Sequence, residues 1–190
     1  MASPRTRDLV IIGLFAALTA VGAFLRVPLE PVPFTLQPLV VFLAGAVLRP
    51  RLALGSQLTY LAIGLVGLPV FANGGGPAYV LHPTFGFLVG FSAAAWVIAA
   101  VVRWAPGGVW GRTLVGLLLG LGVVYLCGIA GLYLNLALFQ GKIEVFRTVV
   151  WSLGGYLGFD LVKVGLALVL AAPLRQALAD LPAGRVELAR

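Results

Sequence analysis

Residues 52–102 read LALGSQLTYLAIGLVGLPVFANGGGPAYVLHPTFGFLVGFSAAAWVIAAVV, fifty-one positions without a single lysine, arginine, aspartate or glutamate. Two apolar runs flank a centre rich in glycine and proline, which is the pattern of two membrane-crossing helices joined by a loop. A second uncharged stretch covers the twenty-nine residues 113–141. Charged residues make up 10% of the 190-residue chain against 61% hydrophobic, and the mean hydropathy is +1.08. One soluble core of this size cannot hide that much apolar surface, so the chain reads as an all-α integral membrane protein.

Working outward, six apolar segments separate: Leu9 to Leu25, Pro38 to Leu48, Leu52 to Phe71, Phe85 to Val102, Leu114 to Phe139 and Val149 to Pro173. They are read as six transmembrane helices of a single domain covering residues 1–190. Pro38 to Leu48 is shorter than the roughly 20 residues a perpendicular span needs. It therefore tilts, starts within Val32-Pro33-Phe34-Thr35-Leu36-Gln37 so that the span covers residues 34–48, or crosses only part of the bilayer. Arg49, Pro50 and Arg51 end it.

The formal charge of +7 comes from basic residues scattered singly at segment ends. No basic stripe with interleaved stacking aromatics exists, so nucleic acid is excluded as a partner. On one side fall Arg5, Arg7, Arg49, Arg51, Arg103, Arg112, Arg175, Arg185 and Arg190; on the other fall Arg26, Lys142 and Arg147. That bias places both termini in the cytoplasm. Trp104 and Trp110 on one side, and Trp151 with Tyr79 on the other, suit interfacial anchors in contact with lipid. The single cysteine, Cys127, lies in an apolar segment and supports neither a disulfide framework nor a zinc site. No catalytic constellation is present: no Gly-x-Ser-x-Gly, no His-Glu-x-x-His, no acid pair within a span. Nor is there a Walker-type loop, so ATP, if used, is hydrolysed by another subunit.

Two features invite a ligand. In the last segment Tyr156-Leu-Gly-Phe-Asp160-Leu-Val-Lys163 puts two opposite charges at i and i+3, on one helix face, in the middle of a span. Charges at that depth cost several kcal/mol by the lower estimates, about 2.5 to 3.5 each, unless they face a pocket, a partner or each other. The second is the loop Gly67-Leu-Pro-Val-Phe71-Ala-Asn73-Gly-Gly-Gly76-Pro-Ala-Tyr79-Val-Leu-His82-Pro-Thr84. Its glycines permit close approach of backbone to a ligand, its apolar residues are odd for a water-facing connector, and Asn73 both donates and accepts. In the first segment Gly13 and Ala17, and Ala16 and Ala20, form small-residue pairs four apart, a strip against which another helix can press. Spacing leaves open whether that helix is internal or belongs to another protein.

Taken in order, Val32-Pro33-Phe34-Thr35-Leu36-Gln37, Gly67-Leu-Pro-Val-Phe71 with its glycine loop, Pro83-Thr84-Phe85-Gly86-Phe87-Leu88, and Asp160-Leu-Val-Lys163 resemble the BioY family over nearly the whole chain. Members of that family are biotin-specific substrate-binding (S) components of energy-coupling factor transporters. The resemblance implies a six-helix S-component bundle in the bacterial cytoplasmic (inner) membrane that captures biotin from outside. It implies as partners a transmembrane coupling (T) protein and ATP-binding-cassette ATPases, with no cofactor or metal of its own. It assigns contact with the coupling protein to Ala16 and Ala20. Asp160 and Asn73 match the ureido group of biotin, Lys163 neutralises Asp160 or meets the ligand, and Phe71, Tyr79 and Tyr125 offer apolar surface to the ring and chain. Where the family carries a proline-rich approach to the acid, this chain has Gly155-Tyr-Leu-Gly-Phe159-Asp160. Other expectations would be an S component for a different vitamin, or a stand-alone secondary carrier for biotin.

Overall fold

The computed structural model describes residues 4–29 and 32–179, leaving Arg185 and Arg190 of the charge count outside the described residues. Six α-helices form among them: α1 (Pro4–Phe24), α2 (Gln37–Val47), α3 (Pro50–Val66), α4 (Phe85–Trp104), α5 (Val109–Leu132) and α6 (Ile143–Ala179). Four, α1, α4, α5 and α6, are long and apolar enough to cross a membrane. At 37 residues, α6 reaches about 55 Å, so it outruns a hydrocarbon core of about 30 Å at its ends.

The short segment resolves in favour of a short helix. α2 has 11 residues, about 16 Å, and its approach is extended chain instead of helix. Phe34–Thr35 (β2) pairs antiparallel with Arg26–Val27 (β1), Val27 opposite Phe34. The Leu36 amide donates to the Gly22 and Leu25 carbonyls, and Pro38 stands in the first turn, where a missing N–H costs nothing. Val41, Phe42, Ala44, Ala46 and Val47 are fully buried, so α2 runs through the centre of the bundle with the long helices around it.

α3 ends at Val66, short of the expected Phe71, because Gly67 takes φ +124, a conformation that only glycine adopts cheaply. The loop then folds back onto α3. The ring of Phe71 sits where a side chain on Gly64 would be, and the Gly76 amide donates to the Gly64 carbonyl at 2.7 Å. A 3₁₀ turn, Pro77–Leu81, leads into α4. α5 continues as a π-helical stretch, Tyr133–Phe139, from which the Asn135 side-chain amide donates to the Leu81 carbonyl and ties the end of the loop down.

Two ends result. At one, Arg26 meets Asn73, Tyr156 meets the Val32 carbonyl and Asn135 meets Leu81. At the other, Arg7 donates to the Leu178 carbonyl and Arg175 to the Ala46 carbonyl. Trp104, Trp110 and Trp151 are exposed as membrane anchors require. Tyr79 is not: it is buried, because its ring packs against Phe71 at 4.6 Å and stacks on His82 at 4.7 Å.

Candidate ligand-binding site

At the loop end, a cavity opens among the extended segment before α2, the glycine loop, α4, α5 and α6. Asp160 and Lys163 of α6 line it, as do Thr35, Gln37, Tyr79 and Tyr125. Residual exposure of Asp160 is 7% and of Lys163 4%, so both charges are out of bulk solvent. The ammonium donates to Asp160 Oδ1 at 2.6 Å and to the Thr35 carbonyl at 2.8 Å. Its Nζ also lies 3.9 Å from the ring centroid of Phe34, a cation–π contact. The other carboxylate oxygen, Oδ2, accepts from the Tyr125 hydroxyl at 2.7 Å.

Tyr125 is therefore more than the apolar surface expected of it. It is a donor that fixes the carboxylate from α5, because its hydroxyl reaches across to α6. Each Asp160 oxygen keeps a further lone pair, so the carboxylate can still accept from a ligand N–H. Two of the three Lys163 donors are used within the protein, which answers whether the lysine serves the acid: it does, and it anchors the β2 strand as well.

Behind the pair runs a buried polar chain. The Thr35 hydroxyl donates to Gln37 Oε1 at 3.2 Å, Gln37 Nε2 donates to the Tyr60 hydroxyl at 2.8 Å, and that hydroxyl donates to the Val70 carbonyl at 3.0 Å. Through it the α6 lysine is linked to the glycine loop by side chains that are nearly inaccessible to solvent. Burial pushes the Tyr79 phenol up from its ordinary pKa, so it stays a hydroxyl and shares a hydrogen bond of 3.1 Å with Thr84. Burial likewise lowers the pKa of His82, whose Nδ1 lies 2.8 Å from the Thr84 hydroxyl.

Four expected site residues thus meet around one cavity: Tyr79, Tyr125, Asp160 and Lys163. Two do not line it. Phe71 is buried one layer back, between Tyr60 and Tyr79, where it supports the Tyr79 ring. Asn73 is exposed and accepts a 2.7 Å bond from Arg26, while its neighbour Ala72 lines the cavity. The assignment of Ala16 and Ala20 to a partner surface also changes. Ala16 is 3% exposed and Ala20 packs on the core, whereas Gly13 and Ala17 lie on the outer face of α1.

Thr35, Gln37, Phe34 and Tyr156 join the site. For Phe34, Thr35 and Gln37 the signal was the prolines and polar residues of the stretch leading into α2, which interrupt an otherwise apolar sequence; Tyr156, in α6, carried no such mark. Phe34 and Tyr156 separate the cavity from an outer groove formed with Val27, Leu29 and Phe159. Phe34 packs on Tyr156 at 5.9 Å and on Phe159 at 5.4 Å. Free space inside the cavity is about 60 Å³.

A helical membrane bundle with a buried acid–base pair under a loop-covered cavity defines a class: a membrane protein built to hold a small polar molecule. The family model for the BioY family matches residues 1–180, and the chain belongs to that family. It is 38% identical to the biotin transporter BioY of Thermotoga maritima over 172 residues, covering 90% of this chain and 96% of that one. It is 50% identical to the probable biotin transporter BioY of Lysinibacillus sphaericus over 131 residues, 69% of this chain and 67% of that one. Among solved structures, the crystal structure of the S-component for biotin from an ECF-type ABC transporter superposes with a TM-score of 0.80 at 25% identity, covering 98% of both chains.

Proposed function

We propose that this chain is a biotin-capturing S component of an energy-coupling factor importer. The observation that carries the reading is the Asp160–Lys163 pair, buried yet lining a cavity at one end of the bundle. The ureido group of biotin offers two N–H donors and a carbonyl. Asp160 accepts from the donors, its orientation held by Lys163 and Tyr125, so that little ordering remains to be done on binding. Tyr79, Phe87, Phe91 and Val124 supply apolar contact for the thioether ring and chain. Asn73, whose bond to Arg26 ties the glycine loop to the β1–β2 hairpin at the cavity end, reaches the ligand by giving up that bond.

All six helices belong to the membrane domain in this reading, α2 and α3 crossing jointly with the extended segment before α2. Both termini face the cytoplasm of a bacterial inner membrane, and the cavity faces outward. The chain is no enzyme: ATP is hydrolysed by partner ATPases, and a coupling protein docks on α1 through the outer Gly13 and Ala17 pair. Replacing Ala17 by Leu leaves biotin binding intact and lowers uptake in the assembled transporter.

The deciding experiment is biotin binding by calorimetry with the wild-type protein and Asp160→Asn. Affinity falls tenfold or more, since hydrogen bonds to charged groups are worth about 1.5 to 3 kcal/mol. Unchanged affinity would remove the acid from the site. A melting-temperature screen against biotin, riboflavin, thiamin and folate separates a biotin site from one for another vitamin. Uptake into vesicles that persists without ATP or partner subunits would favour a secondary carrier.

A further inference from the structure

We propose that the end of the bundle opposite the cavity holds a site for the phosphate headgroup of an anionic glycerophospholipid. A groove of about 480 Å³ lies there, lined by Asp8 of α1, Arg49 and Arg51 at the α2–α3 junction, and Trp96, Arg103 and Trp104 of α4. Arg51 and Arg103 alone set two guanidinium groups against the one carboxylate of the lining, a surplus of positive charge. Other arginines at this end place donors on carbonyls, Arg7 on Leu178, Arg112 on Ala105 and Arg175 on Ala46. Arg51 and Arg103 are different: neither has a hydrogen-bond or ion-pair partner among the described residues. They converge on one concavity from chain segments about fifty residues apart, which an orientation signal alone does not require. The planar fork of arginine matches a phosphate with two parallel hydrogen bonds.

The aromatic residues select a lipid over a free anion. Trp96 and Trp104, eight residues apart, share one face of α4 and are 44% and 64% exposed. They give apolar surface to the glycerol and upper acyl region beside a basic rim, the composition of a headgroup pocket at a membrane interface.

The test uses the full chain in a zwitterionic detergent. Lipid retention is measured by native mass spectrometry, and melting temperature is measured with phosphatidylglycerol, phosphatidylcholine of the same acyl chains, glycerol 3-phosphate and inorganic phosphate. Phosphatidylglycerol alone should be retained and raise the melting temperature. The double variant Arg51→Gln, Arg103→Gln should bind it roughly thirty-fold more weakly, from the usual attraction of a basic side chain to anionic lipid, while keeping wild-type biotin affinity as proof of folding. Equal retention of phosphatidylcholine, or a double variant that still selects phosphatidylglycerol, overturns the site. A shift with inorganic phosphate as large as with the lipid overturns the lipid assignment. So does a double variant that loses only binding of the coupling protein.

Discussion

The two ends of this bundle treat charge in opposite ways. At the loop end, Asp160 and Lys163 are buried and bonded to each other, to Tyr125 and to the Thr35 carbonyl. At the other end, Arg51 and Arg103 line an open groove with their donors unused among the described residues. Desolvating a charge is costly and must be offset by geometry, whereas a charge at an interface keeps its water. The first arrangement makes a rigid, selective site; the second makes an adaptable surface for a charged partner.

The contrast breaks most sharply at Lys163. Lys163→Met strands an acid in the interior and should destabilise the protein by about 3 to 5 kcal/mol, read as loss of unfolding free energy in detergent. Adding Asp160→Leu should recover much of that stability while abolishing biotin binding. A double variant as unstable as the single one would mean that packing, and not charge, explains the loss.

Smaller effects sharpen the picture. Tyr125→Phe removes a hydrogen bond to a charged group and should weaken stability or biotin affinity by about 1.5 to 3 kcal/mol; no change in either would return Tyr125 to the role of apolar wall. Tyr60→Phe leaves Gln37 Nε2 and the Val70 carbonyl without their partner, at about 1 to 3 kcal/mol. It should also speed hydrogen exchange in residues 70–82. Exchange there that matches the wild type would sever the link between the pair and the loop.

The smallest effect is a pH dependence. Burial lowers the pKa of His82 below its ordinary value, so the unfolded loop takes up a proton at a higher pH than the folded one. Loop stability is complete above about 6.5 and declines as pH falls through the window below it. Protease resistance of the loop should drop between pH 7.5 and 5.5 in the wild type and change less in His82→Asn. Parallel profiles would detach His82 from the effect.

Much of this was legible in advance, for reasons that differ by residue. Long uncharged runs announce helices because unsatisfied backbone cannot cross hydrocarbon. Asp160 and Lys163 stood out because their burial is expensive and their spacing places them on one face. Tyr125, thirty-five residues from the acid, carries no local mark, and Thr35 meets Lys163 through its backbone carbonyl, which any residue would supply. Asn73 and Ala72 differ by one position in a loop whose glycines leave its path undetermined by sequence. The phase of α1 was hidden as well: a helix apolar on every side packs as readily by Ala16 and Ala20 as by Gly13 and Ala17.

Composition and spacing by themselves determined that the chain lives in a membrane, where its helices lie, and which two charges must be sheltered. Only the tertiary structure decided which partners shelter them and which face of each helix meets lipid. The reason is physical: in a bilayer the outside of the protein is as apolar as its core, so hydrophobicity marks the span but not its orientation, which close packing and hydrogen bonds alone can set.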